Sequence, residues 1–147
     1  MNKVYKHRSL AQDEYLGRVD EDGKVYESRI GPDKYIGRVE IDTGKIFESR
    51  LGPDKHIGRV EPDNGKVFLN KLGPDEYLGR VHEDGKLYQH VRLGSDEYLG
   101  RVHEMISLVH GGAAFLLLVQ PAYDEEVAEE TDSEKGDAEA GQAMAPA

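Results

Sequence analysis

Cysteine is absent from the 147 residues, which excludes a disulfide framework and thiolate chemistry. Tryptophan is absent too, and only three phenylalanines occur. No basic excess exists: 19 Lys and Arg stand against 29 Asp and Glu, so the electrostatic footprint of a nucleic-acid binder is missing. The imbalance is local. Residues 1–119 carry 18 basic and 20 acidic side chains, whereas 120–147 carry one and nine. Residues 1–10 have no apolar stretch of the secretory type, so a cytoplasmic location is expected. Long apolar runs are lacking except at 105–119, MISLVHGGAAFLLLV. As a helix this run would be roughly 22 Å long. It falls short of the ~20 apolar residues that span a bilayer. Being apolar nearly all round, it must be buried on every side.

What the chain does have is a repeat. Residues 13–32 read DEYLGRVDEDGKVYESRIGP and 33–53 read DKYIGRVEIDTGKIFESRLGP. Residues 54–74 read DKHIGRVEPDNGKVFLNKLGP and 75–95 read DEYLGRVHEDGKLYQHVRLGS. A fifth opening, DEYLGRVHE at 96–104, leads into the apolar run, and NKVYKHR at 2–8 matches the second half of a unit. Each unit of 20 or 21 residues reads as a β-hairpin. Asp22-Gly23 and Asp84-Gly85 predict tight turns. Asp42-Thr43-Gly44 and Asp63-Asn64-Gly65 predict turns one residue longer, and Gly-Pro-Asp at 31–33, 52–54 and 73–75 joins one hairpin to the next.

A two-residue turn at Asp22-Gly23 sets Val19 against Tyr26, Gly17 against Ser28 and Tyr15 against Ile30, all on the buried face. The other face then holds Val25 and the pairs Arg18–Glu27 and Arg38–Glu48. Pairing the first half-unit with the last closes the sheet and removes both exposed edges. Ten strands at a spacing of ~4.8 Å and a tilt near ~40° enclose a radius of roughly 10 Å, enough for one helix. The expected fold is all-β with one buried helix: a closed antiparallel barrel of about ten strands over 2–119, enclosing the helix 105–119. The tail 120–147, acidic and without periodicity, is expected to be disordered.

The YLGRV…DGKVY pattern with a hydrophobic helix resembles the four-fold β-flower domain family. It is similar in architecture to tubby C-terminal-like barrels. The resemblance implies a symmetric, flared barrel, no established activity and, on the tubby side, contact with a lipid surface. MORN-type repeats are also similar in length and in Tyr-x-Gly, but their Trp is missing here.

Several positions recur around the ring. Gly17, Gly37, Gly58, Gly79 and Gly100 sit mid-strand, which implies sheet curvature or room for a ligand. His7, Ser28, Ser49, Asn70 and His90 are expected as an inner polar belt around His110. A sharper alternative joins His7, His90 and His110 around a metal ion, as in a metal-dependent hydrolase. Leu16, Ile36, Ile57, Leu78 and Leu99 are expected to face outward as an interaction ring. The acidic turns lack the spacing of a calcium loop. No nucleophile–base set, phosphate-cradling loop or carboxylate pair stands out. The expectation is a non-enzymatic binding or scaffold module without cofactor or nucleic acid. Its partner is a protein or, alternatively, a lipid or membrane surface.

Overall fold

A computed structural model describes residues 2–129. The tail 130–147 lies outside the described residues. The strands are β1 (Lys3–Lys6), β2 (Glu14–Val19), β3 (Lys24–Glu27), β4 (Lys34–Val39) and β5 (Lys45–Glu48). They continue as β6 (Lys55–Val60), β7 (Lys66–Leu69), β8 (Glu76–Val81), β9 (Lys86–Gln89) and β10 (Glu97–His103). All neighbours are antiparallel, and β1 pairs with β10 to close a ten-stranded barrel. Five units therefore surround the axis, four of them continuous and one split across the two ends of the array.

The hairpin register differs from the sequence expectation by one residue. Val19 pairs with Val25, Arg18 with Tyr26 and Gly17 with Glu27. The cause is turn length. Asp20 N–H donates to Lys24 O at 2.8 Å, so 21–23 form a three-residue loop, and Glu40 N–H donates to Lys45 O at 2.8 Å around a four-residue loop. A one-residue slip moves every side chain of a strand to the other face. Val4, Val25, Ile46, Val67 and Leu87 are accordingly the buried apolar residues of the short strands. Tyr5, Tyr26, Phe47, Phe68 and Tyr88 lie on the half-buried outer face.

There the aromatics meet arginines rather than glutamates, correcting the expected Arg–Glu pairs. Arg18 lies 4.2 Å over Tyr26, Arg38 4.2 Å over Phe47, Arg59 4.1 Å over Phe68 and Arg101 4.4 Å over Tyr5. Each such contact contributes about 0.5–1 kcal/mol at an exposed site. The same arginines reach an aspartate of the next unit, as in Arg38–Asp54 at 3.2 Å and Arg59–Asp75 at 3.1 Å. The fourth unit breaks the pattern: His82 stacks on Tyr88 at 4.5 Å, and Arg80 donates to Asn64 O at 3.1 Å.

The second register feature is a bulge repeated in every unit. Val25 faces Gly37, but Tyr26 faces Tyr35, leaving Ile36 as the extra residue. Leu16, Ile57, Leu78 and Leu99 are its counterparts. A bulge breaks the two-residue alternation, so bulged residue and following glycine both turn inward.

The axis is filled by a helix that begins later than expected and ends later. It comprises α1 (Leu108–Ala114), a π-helical stretch (Phe115–Val119) and further helical turns through 129. Residues 105–107 precede it outside any helix or strand, with the extended Ser107 as N-cap. Residues 109–119 are buried without exception, as an all-apolar helix requires. The expected disorder of the tail is thus corrected for 120–129, which continue the helix out of the barrel. Asn2, fully buried, seals the seam: its Nδ2 donates to Val19 O at 3.0 Å and its Oδ1 accepts from Ile106 N–H at 2.8 Å.

Candidate interaction rim

The up-and-down topology gives the barrel two distinct ends. The Asp-Gly turns crowd one end, where the helix enters. His110 marks this entry. Its Nε2 lies 3.0 Å from Glu21 O, an acceptor only, so Nε2 carries the ring proton. Its Nδ1 faces Ser107 Oγ at 2.7 Å. His110 therefore ties the helix start to the first hairpin turn.

The expected inner belt does not surround it. His7, Asn70 and His90 are exposed and Ser28 and Ser49 only half-buried. The physical reason is the register: Ser28 N–H donates to Leu16 O at 2.9 Å, the bulged residue, rather than lying opposite Gly17. His7 stacks on Tyr98 at 4.8 Å and lies 3.4 Å from Asp13. His90 stacks on Tyr77 at 5.1 Å and lies 3.5 Å from Asp96. Both stand at the far end from His110, so the three imidazoles do not converge. Among the described residues no group of three or more His, Asp or Glu could hold a metal ion.

The aliphatic ring is corrected as well. Leu99 is buried in the core, and Leu16, Ile36, Ile57 and Leu78 pack against it. They form the inner lining near the helix exit, not an outer contact surface. The glycines beside them leave no ligand space. A Cβ on Gly58 would stand 2.6 Å from Leu116 Cδ1, and one on Gly37 2.9 Å from Leu117 Cδ1.

The most exposed apolar groups lie elsewhere, at the end where the helix leaves. Leu10 is 99% exposed, Ile30 107%, Leu51 106%, Leu72 106% and Leu93 99%. Each occupies the turn between one hairpin and the next, so all five crown one rim. Ile30 stands clear of the buried face on which a two-residue turn would place it, carried off the sheet by its own turn. Gly31, Gly52 and Gly73 follow three of these residues at φ near 90°, a conformation open to glycine. In the fourth unit Leu93 itself takes φ 64°, at a cost of about 1–2 kcal/mol for a side-chain-bearing residue. The sequence did hold a signal: an aliphatic residue directly before Gly-Pro-Asp, where a tight turn offers nothing to cover it.

Charge at the rim is arranged around the helix. Four of the five basic residues beside the tips are drawn to carboxylates: Arg29 to Glu27 at 3.0 Å, Arg50 to Glu48 at 2.8 Å, Lys71 to Glu76 at 3.0 Å and Arg8 to Glu14 at 2.7 Å. The helix emerges at the centre carrying Asp124, Glu125, Glu126 and Glu129. Glu126 pairs with the buried Lys6, and Tyr123 donates to Glu97 at 3.0 Å. Over the five rim turns (7–13, 28–33, 49–54, 70–75 and 90–96) and 120–129, nine acidic residues stand against five basic ones. A crevice of about 520 Å³, lined by Lys6, His7, Leu10, Tyr98, Tyr123 and Val127, separates the emerging helix from the wall. Burial, then the nearby Asp13 charge, raises the Tyr98 phenol above its ordinary range. Burial, then the hydrogen bond to Glu97, does the same to Tyr123.

In comparisons with family models, curated proteins and solved structures, none matches this chain. Among the described residues no helix is long and apolar enough to cross a membrane.

Proposed function

We propose that this chain is a non-enzymatic, cytoplasmic binding module that contacts a protein through the rim of Leu10, Ile30, Leu51, Leu72 and Leu93. The observation that carries the reading is their exposure, 99–107%, repeated at five equivalent turns. Single exposed aliphatics are ordinary, but a recurrent set at one end of a molecule is a contact surface in the making. Fully burying one such side chain is worth about 1.5–3 kcal/mol. Association costs an estimated ~4–15 kcal/mol in lost freedom. One or two tips therefore cannot hold a partner, whereas four or five engaged together can.

The test compares wild type with a variant in which all five tips become serine. Both are used for affinity capture from cell extract and for liposome flotation. Equal melting of the two proteins is expected, because fully exposed side chains contribute little to folding. A protein retained by wild type and lost by the variant supports the reading. Equal capture by both, or no captured protein at all, refutes it. Flotation of wild type alone would move the assignment to a membrane surface.

A further inference from the structure

We infer that the partner of this rim is a cationic amphipathic polypeptide segment, whose aliphatic side chains meet the five tips while its Lys or Arg residues meet the acidic helix end at the centre. The inference rests on the binding-module reading above. It adds the partner's chemistry, which charge placement decides.

Three occupants compete for an aliphatic rim. A second copy of the chain, docked rim to rim, would bring two acidic helix ends face to face. Asp124, Glu125 and Glu129 of each would oppose those of the other, and like charges so placed suppress association. A bilayer suits isolated aliphatic tips, since a fluid needs no complementary pockets. Its anionic cytoplasmic leaflet, however, attracts basic clusters. Here the basic residues at 8, 29, 50 and 71 already lie within 3.0 Å of carboxylates. The acidic helix also emerges at the level of the tips: Leu10 and Val127 line the same crevice. A flat surface laid on the tips would face the same end of the barrel as Asp124 and Glu125.

A cationic segment turns the same layout to advantage. Asp124 has only the neutral Gln120 amide beside it, at 3.0 Å. Among the described residues, the sole ion-paired carboxylate of the helix end is Glu126, held by Lys6. An apolar face of the segment can bridge neighbouring tips across the crevice, where Tyr98, Tyr123 and Val127 offer further apolar surface. The residues that follow, 130–147, add five acidic side chains and one lysine, which strengthens attraction for a basic partner over distances set by salt.

The test uses three synthetic peptides of equal length and the same leucine pattern, with polar positions filled by Lys, by Gln or by Glu. Their binding to the full chain is measured by fluorescence anisotropy. Vesicles of phosphatidylcholine with and without phosphatidylserine form a further arm. The Lys peptide is expected to bind at least about tenfold tighter than the Gln peptide, with affinity falling as salt rises. Both the five-tip serine variant and Asp124→Asn/Glu125→Gln/Glu129→Gln should weaken it by about tenfold. Two failures are distinguishable. If the tip variant weakens all three peptides equally and charge makes no difference, the rim stands as a contact surface and the cationic assignment falls. If the tip variant binds the Lys peptide as wild type does, the rim reading itself falls. Vesicle binding that is lost in the tip variant overturns the polypeptide partner in favour of a membrane.

Discussion

Gly112→Ala sets two effects against each other, and their magnitudes fix the sign. Alanine is favoured over glycine inside a helix by about 0.8–1.0 kcal/mol, so an isolated helix would gain. In the barrel, however, a Cβ at 112 would overlap Val60 Cβ and stand 2.5 Å from Val60 Cγ1 and 2.7 Å from Cγ2. Carbon atoms pack at about 3.5–4.0 Å, so helix and β6 would have to separate by more than ~1 Å. β6 is held by neighbours on both sides of a closed ring, and the overlap begins at Cβ, which no rotamer change can move. Overpacking of a tight core costs about 1–3 kcal/mol, and this site belongs at the upper end. Subtracting the helical gain leaves a net loss of about 2 kcal/mol. For a domain of this size that lowers Tm by about 8 °C. Thermal unfolding followed by far-ultraviolet circular dichroism measures it. Gly111→Ala serves as the internal comparison, because its neighbours are the far ends of side chains, Val81 Cγ1 at 2.5 Å and Met105 Sδ at 2.7 Å. Its loss should be the smaller of the two. An unchanged or raised Tm for Gly112→Ala would refute the threading of the helix against β6.

Further outcomes are expected at the seam and on the wall. Asn2→Ala removes one buried donor and one acceptor, leaving Val19 O and Ile106 N–H unsatisfied; a loss of about 2 kcal/mol or more should appear in urea unfolding. Wild-type stability there would mean that Asn2 does not close the seam. Tyr15, Tyr35, Tyr77, Tyr98 and Tyr123 have phenol pKa values raised above the ordinary 10.0, chiefly by burial. The raised folded values mean that this contribution to stability is complete below pH ~10 and is lost as pH climbs through the folded values. Absorbance at 295 nm should therefore show tyrosines ionising late, with unfolding alongside. Complete, reversible ionisation at the ordinary value without loss of structure would contradict it.

The candidate site shows where sequence reading stopped. The serine and histidine belt lies off the face expected for it because of turn length. Asp-Gly is compatible with a two-residue or a three-residue turn, and the difference reverses the strand that follows. The bulge at Leu16, Ile36, Ile57, Leu78 and Leu99 then reversed a second assignment. Its only sequence mark is the glycine after each. The tips at Ile30, Leu51 and Leu72 were written plainly before each Gly-Pro. Their meaning depended on knowing that the register leaves them outside.

By itself, the sequence determined the hairpin repeat, the closing of the ring by two half-units and the burial of an uncharged apolar helix. These follow from local periodicity, turn residues and the cost of leaving edges or apolar surface in water, all of which act within a unit or on composition. Tertiary structure alone decided the register, the direction of every belt and the two ends of the helix. Those depend on hydrogen bonds such as Asp20 N–H to Lys24 O, on closure of β1 against β10, and on which carboxylates reach Lys6 and the rim. They are long-range balances of a few kcal/mol, and no local pattern of residues encodes them.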